Sequence, residues 1–369
     1  MQKKIIEEGK AKLYTVEGKL TKNLKVFYNP IMKLNRDLSL LILRTINKQK
    51  LRIGLPMAAS GIRGIRVLIE LNKPAVVHFN DKSKHAVGFI RQNLKLNNIK
   101  DSYTISQKDA SVFMLEASGF HYIDIDPFGS PNPFLDAAVK RISRNGILAV
   151  TATDTAPLAG TYPRVCQRKY WALPLRNEFM HETALRILIR KVQLVGMQFD
   201  KALLVLFSYY ANHYYRVFFR AVKSKSECDK LLANFGFVSY CYNCLRRYIG
   251  NVRVKCGCGN KLTIAGPLYL GSLWDKRYFN AIKGVSDYPE ASKLLSVISK
   301  ESEIGSPFFY TLGSLGKLIK LKQLPKLSEL IGSVKAKGYK AARTHFANDG
   351  LRTNMPYNLL TKVIKKWRS

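Results

Sequence analysis

Acidic residues are what this chain is short of. Only 25 Asp and Glu stand against 61 Lys and Arg, a formal net charge of +36. A field of that sign attracts polyanions and steers their encounter, so nucleic acid is the first candidate partner and an anionic membrane surface the second. A Lys-rich, heat-adapted surface would normally be rich in Glu as well, and Glu is scarce here. The chain also lacks any long uncharged apolar run and any lipidation box, which argues against a membrane partner. Its start, MQKKIIEEGK, has no apolar signal segment, so a cytoplasmic protein is expected. Neither G-x-G-x-x-G nor a Walker box occurs, so no dinucleotide or triphosphate site is expected. Cysteine is sparse at six residues, and without an export signal metal binding is a better default than disulfides.

What is present belongs to a globular protein. The chain is 47% hydrophobic and 23% charged over 369 residues, enough for two or three domains and a large core. Residues 4–28 alternate loosely around Gly9 and Gly18, which suggests short strands or a hairpin. After Asn29-Pro30 apolar residues recur at helical spacing, with Arg36 and Asp37 on that helix. Arg36 is either a solvated helix charge or an anion clamp, since a planar guanidinium suits a carboxylate.

From Leu51 the pattern becomes β-α-β. Strand Leu51–Leu55 runs into the small-residue turn Ala58-Ala59-Ser60-Gly61 and a helix containing Gly64. Small residues let a ligand approach the backbone, and a helix start offers free N–H groups. Strand Ala75–Phe79 ends at Asn80-Asp81, strand Tyr103–Ile105 is followed by Asp109 and Ala110, and strand Tyr122–Ile125 ends at Asp126 beside Phe128. Each acid could merely cap a turn or helix. Their repetition at successive strand ends points instead to the ligand edge of a doubly wound α/β sheet. A helix Phe134–Arg144, a stop at Gly146 and a fifth strand Ile147–Thr153 complete the series.

Pro157, Pro163 and Pro174 then predict an extended, folded-over loop in which Arg164, Arg168, Lys169 and Arg176 interleave with Tyr162, Tyr170 and Trp171, an RNA-compatible mixture. Helix Glu178–Val192, strand Lys201–Tyr209 and a further strand close a first domain, 1–222. The second, 223–369, opens with Cys241, Cys244, Cys256 and Cys258 in C-x2-C-x11-C-x-C spacing. Paired-cysteine turns around a short hairpin, about 238–262, resemble a zinc ribbon whose four thiolates complete a structural tetrahedral site. Arg246, Arg247, Arg253, Lys255 and Lys261 surround it. The remainder is helical with short strands, which suits a winged-helix-like α+β module gripping phosphates. His345 in that part reads equally as a buried structural residue.

The blocks VFYNPIMKLNRD, ASGIRGIR, DIDPFGSP, TATDTAPLAG and YKAARTHFANDGLRTN resemble those of the tRNA (guanine-26-N2)-dimethyltransferases, the Trm1 family of archaea and eukaryotes. The likeness runs from about residue 20 to near the C-terminus. It implies a class I, Rossmann-like, S-adenosylmethionine-dependent methyltransferase domain with a tRNA-binding C-terminal domain. The implied reaction transfers one and then a second methyl to the exocyclic amine of guanosine 26. By the same resemblance, Arg36 meets the cofactor's carboxylate and Arg63 lies by its methionine part. Asp81 takes the ribose, and Asp109 and Ala110 contact the adenine. Asp126 takes the place of the acidic or amide residue of amino-methylating enzymes, with Phe128 and Phe27 sandwiching the guanine. One departure is that the end of the first strand, RIGLPMAAS, carries no carboxylate.

Asp126 suits such a role chemically. An exocyclic guanine amine is a poor nucleophile, and an anionic acceptor can orient its lone pair and stabilise the charge that develops. The alternatives are an N2-guanine methyltransferase acting elsewhere in RNA, and a non-enzymatic basic RNA-binding protein.

Overall fold

The computed structural model describes residues 3–16, 28–282 and 287–367. The chain opens with a hairpin of β1 (Lys3–Glu8) and β2 (Ala11–Val16), as the loose alternation predicts. Helix α1 (Lys33–Arg44) leads into β3 (Leu51–Leu55), α2 (Ile62–Glu70), β4 (Ala75–Asn80), α3 (Lys84–Leu96), β5 (Tyr103–Ser106), α4 (Ala110–Glu116) and β6 (Phe120–Ile125). There follow α5 (Asn132–Arg141), β7 (Ile142–Ala152), α6 (Thr155–Leu158), α7 (Pro163–Tyr170), α8 (Met180–Met197), β8 (Lys201–Ala211) and β9 (Tyr214–Lys223).

Seven of these strands form one sheet in the order β5-β4-β3-β6-β7-β9-β8. The pairings from β5 to β7 are parallel, and β9 joins β7 antiparallel. The strand order reverses between β3 and β6, and in open α/β sheets ligands bind at the carboxyl ends beside such a switch point. Central strands read as near-continuous apolar runs because both faces are covered; in β3 Leu51, Ile53 and Leu55 are all buried. The glycines of ASGIRGIR allow α2 to lie close on this sheet. Gly61 precedes the helix with φ +81°, and a Cβ on Gly64 would meet the Phe79 ring at 2.2 Å.

Two local expectations fail. Gly146 does not stop a helix: α5 ends at Arg141, and Gly146 lies inside β7. Ile142 and Ile147 both pair with β6 across a register shift that takes up the residues between them, and a glycine inside a strand commonly marks such a bulge. The proline-bearing stretch is not an extended loop either. It forms α6 and α7, with Pro163 in the first turn of α7, where the missing N–H costs nothing.

Beyond β9 come α9 (Lys225–Leu232), β10 (Phe235–Tyr240), β11 (Arg247–Gly250) and β12 (Thr263–Tyr269), then α10 (Lys276–Ile282) and α11 (Pro289–Ser302). The chain continues through β13 (Tyr310–Thr311), α12 (Leu312–Ile319), α13 (Leu327–Lys335), β14 (Ala341–Arg343), β15 (Gly350–Thr353) and α14 (Tyr357–Lys365). Two separate three-stranded antiparallel sheets result, β11-β10-β12 and β13-β15-β14.

This part is tied to the main sheet by buried charge. Arg352 Nη2 donates to Glu182 Oε2 on α8 at 2.6 Å, and its Nε donates to Glu301 Oε1 at 2.9 Å. His345 Nδ1 lies 2.7 Å from Glu301 Oε2, so this histidine is a buried structural one. Removing one member of such a network leaves an uncompensated buried charge, which costs about 3–5 kcal/mol. No helix among the described residues is long and apolar enough to cross a membrane.

Candidate active site

A cavity of about 400 Å³ opens at the switch point, within the usual size range of small-molecule sites. Four strand ends wall it. The turn after β3 supplies Met57, Ala58, Ala59 and Ser60; β4 supplies Asp81; β6 supplies Asp124, Asp126, Pro127 and Phe128; β7 supplies Thr153. Tyr28, Arg36 and Arg63 close it from the N-terminal side, and Phe134 from α5.

Asp126 follows the last residue of β6 and precedes Pro127, which restricts its backbone to extended conformations. Its Oδ2 accepts a hydrogen bond from Arg63 Nη2 at 2.5 Å. Arg63 Nη1 donates to Ser39 Oγ at 2.8 Å and lies 3.3 Å from Asp124 Oδ2. Asp124 in turn accepts from both Nη atoms of Arg216, at 2.9 and 2.7 Å, and from Tyr122 Oη at 2.6 Å. Burial alone would raise the Asp124 carboxyl, but the Arg216 and Arg63 guanidiniums hold it below the usual carboxylate range. Burial opposes the charge on Arg63, yet Asp124 and Asp126 raise its basicity overall.

Phe128 is half exposed at the cavity mouth. The turn behind it is pinned to the end of β7. Gly129 N donates to Thr153 Oγ1 at 2.6 Å, and Thr153 N donates to Gly129 O at 3.0 Å. Tyr170 Oη donates to Asp154 Oδ1 at 2.6 Å and lies 3.0 Å from Ser130 Oγ, whose hydroxyl can donate to it, so this residue of the basic-aromatic stretch braces the loop from inside. Phe27 lies outside the described residues; its neighbour Tyr28 lines the cavity.

Asp81 reaches the cavity while tying two turns, its Oδ2 accepting from Ala59 N and its Oδ1 from Ser83 N, both at 2.9 Å. Asp109 and Ala110 are not among the lining residues. Asp109 Oδ1 caps α4, accepting from Ser111 N at 2.9 Å, and Ala110 is buried. Arg36 lines the cavity but already grips a carboxylate, that of Glu8 at the end of β1: Nε donates to Glu8 Oε1 at 2.6 Å and Nη2 to Oε2. Arg66 Nη1 donates to Glu8 Oε1 at 3.0 Å and Tyr28 Oη to Oε2 at 2.9 Å. Burial would raise the Glu8 carboxyl, and the two arginines bring it below its ordinary value. Burial and the Glu8 carboxylate push the Tyr28 phenol up to about 12 against the two arginines.

Glu8, Asp124 and Arg216 were not picked out from the sequence. Tyr122, Asp124 and Asp126 share one face of a strand by the two-residue period, a pattern that flags Asp124. Nothing local flags Glu8 or Arg216, whose partners lie 28 and 92 residues away.

Away from this cavity the four cysteines converge. Their sulfurs lie within 4.8 Å of one another, with Cys241 to Cys258 at 3.6 Å and Cys244 to Cys256 at 3.5 Å. Of the surrounding basic residues, Arg247 turns inward, donating to Phe309 O at 2.6 Å and stacking over Tyr310, and Arg246 donates to Asn358 Oδ1 at 2.8 Å. Arg253, Lys255 and Lys261 are exposed.

Known proteins resemble the chain from end to end. A family profile described as N2,N2-dimethylguanosine tRNA methyltransferase matches residues 2–365. A tRNA (guanine(26)-N(2)/guanine(27)-N(2))-dimethyltransferase of Aquifex aeolicus is 39% identical, over 98% of this chain and 96% of that protein. A tRNA (guanine(26)-N(2))-dimethyltransferase of Methanobrevibacter smithii is 38% identical, over 98% and 97%. The solved structure of Trm1 from Pyrococcus horikoshii with S-adenosyl-L-methionine superposes with a TM-score of 0.86 at 34% identity, covering 98% of this chain and 99% of that one.

Proposed function

The chain belongs to the N2,N2-dimethylguanosine tRNA methyltransferase family, and we propose from that premise that it methylates N2 of guanosine 26 in tRNA, once and then again. The observation that carries the reading is the Asp126 carboxylate, held by Arg63 at the rim of a strand-end cavity with Phe128 half exposed beside it. S-adenosylmethionine supplies an electrophilic methyl group on a sulfonium and leaves as a neutral thioether. The residues present fit it. The turn Ala58–Gly61 has no bulky side chain to bar close approach, Asp81 offers carboxylate oxygens for a ribose diol, and Arg36 offers a guanidinium for a carboxylate. Asp109 and Ala110, given to the adenine end by the family resemblance, lie outside the cavity lining.

Asp126 Oδ1 accepts a hydrogen bond from the guanine amine while Oδ2 stays on Arg63. That bond turns the N2 lone pair out of the ring's conjugation and toward the methyl carbon. As the N–C bond forms, the C–S bond breaks and positive charge moves onto N2. The guanine amine is conjugated into an electron-poor ring and is far less basic than a simple aryl amine, so its N-methylated cation is a stronger acid than a carboxylic acid, and Asp126 can take the proton and pass it to water. A fixed anion beside the developing charge stabilises it without reorganisation. Phe128 stacks on the base once it has left the tRNA stack, offsetting part of the cost of extrusion. The net charge of +36 supplies attraction to the tRNA backbone, with residues 223–369 as the tRNA-binding part.

The four thiols are read as a structural zinc site. Tetrahedral zinc at about 2.3 Å from each sulfur needs sulfurs roughly 3.8 Å apart, close to the 3.5 Å of Cys244–Cys256 and the 3.6 Å of Cys241–Cys258. Four thiolates leave no position for a reacting water, so the metal would fold the segment and take no part in transfer.

Methyl transfer from labelled S-adenosylmethionine to unmodified tRNA, with nucleoside analysis and mapping of positions 26 and 27, tests the reading. N2,N2-dimethylguanosine at position 26 is expected. Label absent from position 26 would overturn it.

A further inference from the structure

We propose that Arg63 is a positioning residue that carries the reaction on to the second methyl. The inference deepens the reading of Asp126 as the amine's acceptor and rests on it. Among the described residues Arg63 is the hydrogen-bond partner of the Asp126 carboxylate, at 2.5 Å. Pro127 restrains the backbone of Asp126 but not the rotation of its side chain, so the direction of Oδ1 depends on what holds Oδ2. Arg63 is itself held from two sides. Its Nη1 donates to Ser39 Oγ at 2.8 Å and faces Asp124 Oδ2 at 3.3 Å, and Asp124 is locked by Arg216 at 2.7 Å and by Tyr122 at 2.6 Å. Arg216 Nη2 also donates to Ser39 Oγ, at 3.0 Å. The guanidinium is therefore a fixed fork between two carboxylates, one fully buried and one facing the reacting base.

The two transfers demand different things of that fixed carboxylate. In the first, the guanine amine carries two N–H bonds, and a carboxylate that swings away from one can still be met by the other. In the second, one N–H remains. It must point at Asp126 while the methyl already installed points away, or the lone pair misses the incoming methyl. Orientation that is redundant in the first step is obligatory in the second. Loosening Arg63 thus penalises the second step more than the first, because misplacement by about 1 Å already costs on the order of a hundredfold in rate.

The test compares the full-length protein with its Arg63→Lys and Arg63→Gln variants. Mono- and dimethylguanosine are followed over time on unmodified tRNA, and the second step alone is measured in single turnover on tRNA isolated at the monomethyl stage. Binding of S-adenosylhomocysteine is titrated in parallel. The second step should fall roughly tenfold or more beyond the first, with monomethylguanosine accumulating. Lys should retain more of the second step than Gln, because it keeps the charge while losing the fork. Equal losses in both steps would overturn the proposal, as would weakened S-adenosylhomocysteine binding with an unchanged product ratio, which assigns Arg63 to the cofactor side instead. Should both Arg63 variants fail to fold, Ser39→Ala removes one of the contacts that hold Arg63 without altering the cavity wall, and it must shift the product ratio in the same direction or the proposal fails. A wild-type protein that makes no N2-methylguanosine overturns the underlying reading and this proposal with it, an outcome distinct from any change in ratio.

Discussion

Glu8 Oε1 accepts a hydrogen bond from Arg36 Nε at 2.6 Å, so the guanidinium that the family resemblance assigns to the cofactor's carboxylate already holds a carboxylate of its own chain. Glu8 occupies the Nε–Nη2 edge, and Nη2 also donates to Asn29 O at 3.0 Å. Among the described residues that leaves Nη1 for a ligand, and under the proposed role of Arg36 the N-terminal hairpin would act on cofactor binding. Glu8→Gln should raise the KM for S-adenosylmethionine by about tenfold with kcat little changed, since it loosens a binding group without touching the reacting atoms. Steady-state kinetics at saturating tRNA checks this, and a fall in kcat at unchanged KM would contradict it.

Phe128 is 50% exposed, so the fold gains little from it. Phe128→Ala should leave the melting temperature nearly unchanged, as surface substitutions usually do. It should lower kcat/KM on tRNA by roughly ten- to a hundredfold, the worth of one base-aromatic stack. A destabilised protein with unchanged kcat/KM would assign the ring to the core instead.

These residues also mark where the sequence was legible. Strand Leu51–Leu55 is found as read, because a strand covered on both faces reads as an apolar run, and the neighbouring parallel strands begin or end within a few residues of their expected bounds. Asp81 and Asp126 were visible as acids closing such runs. The partners that decide their chemistry were not: Arg63 binds Asp126 across 63 residues and Arg216 binds Asp124 across 92. Pairings of that kind follow from strand order, and the order β5-β4-β3-β6-β7-β9-β8 leaves no local trace. Pro163 was read as a loop residue although it begins a helix.

The cysteine cluster makes a separate prediction. About one zinc per chain should be found by elemental analysis, and Cys241→Ser or Cys256→Ser should abolish it. Both of those thiols are buried, so loss of the metal should lower the melting temperature of the C-terminal part, because binding free energy at a structural site is folding free energy. Purified protein without metal would remove the assignment.

Acid should unfasten the junction between the C-terminal part and α8. Burial would raise the Glu301 carboxyl, but His345 and Arg352 bring it down to about 2. Its folded value thus lies below its unfolded value of 4.5, and between the two the unfolded chain binds more protons. The contribution of Glu301 is complete above about pH 4.5 and is lost as the pH falls toward 2. Denaturant melts from pH 6 to 2.5 should show stability dropping through that window, and Glu301→Gln should lower stability at neutral pH and flatten the drop. A parallel slope in the variant would show that other carboxylates govern the transition.

The account turns on Asp126. The most direct measurement is single-turnover methyl transfer to unmodified tRNA by Asp126→Ala, alongside titration of S-adenosylhomocysteine. The account predicts a rate lower by roughly a hundred- to a thousandfold, the scale of losing one preorganised electrostatic partner, with S-adenosylhomocysteine affinity within a few-fold of wild type. An Asp126→Ala enzyme that still dimethylates guanosine 26 at a rate near wild type would contradict it.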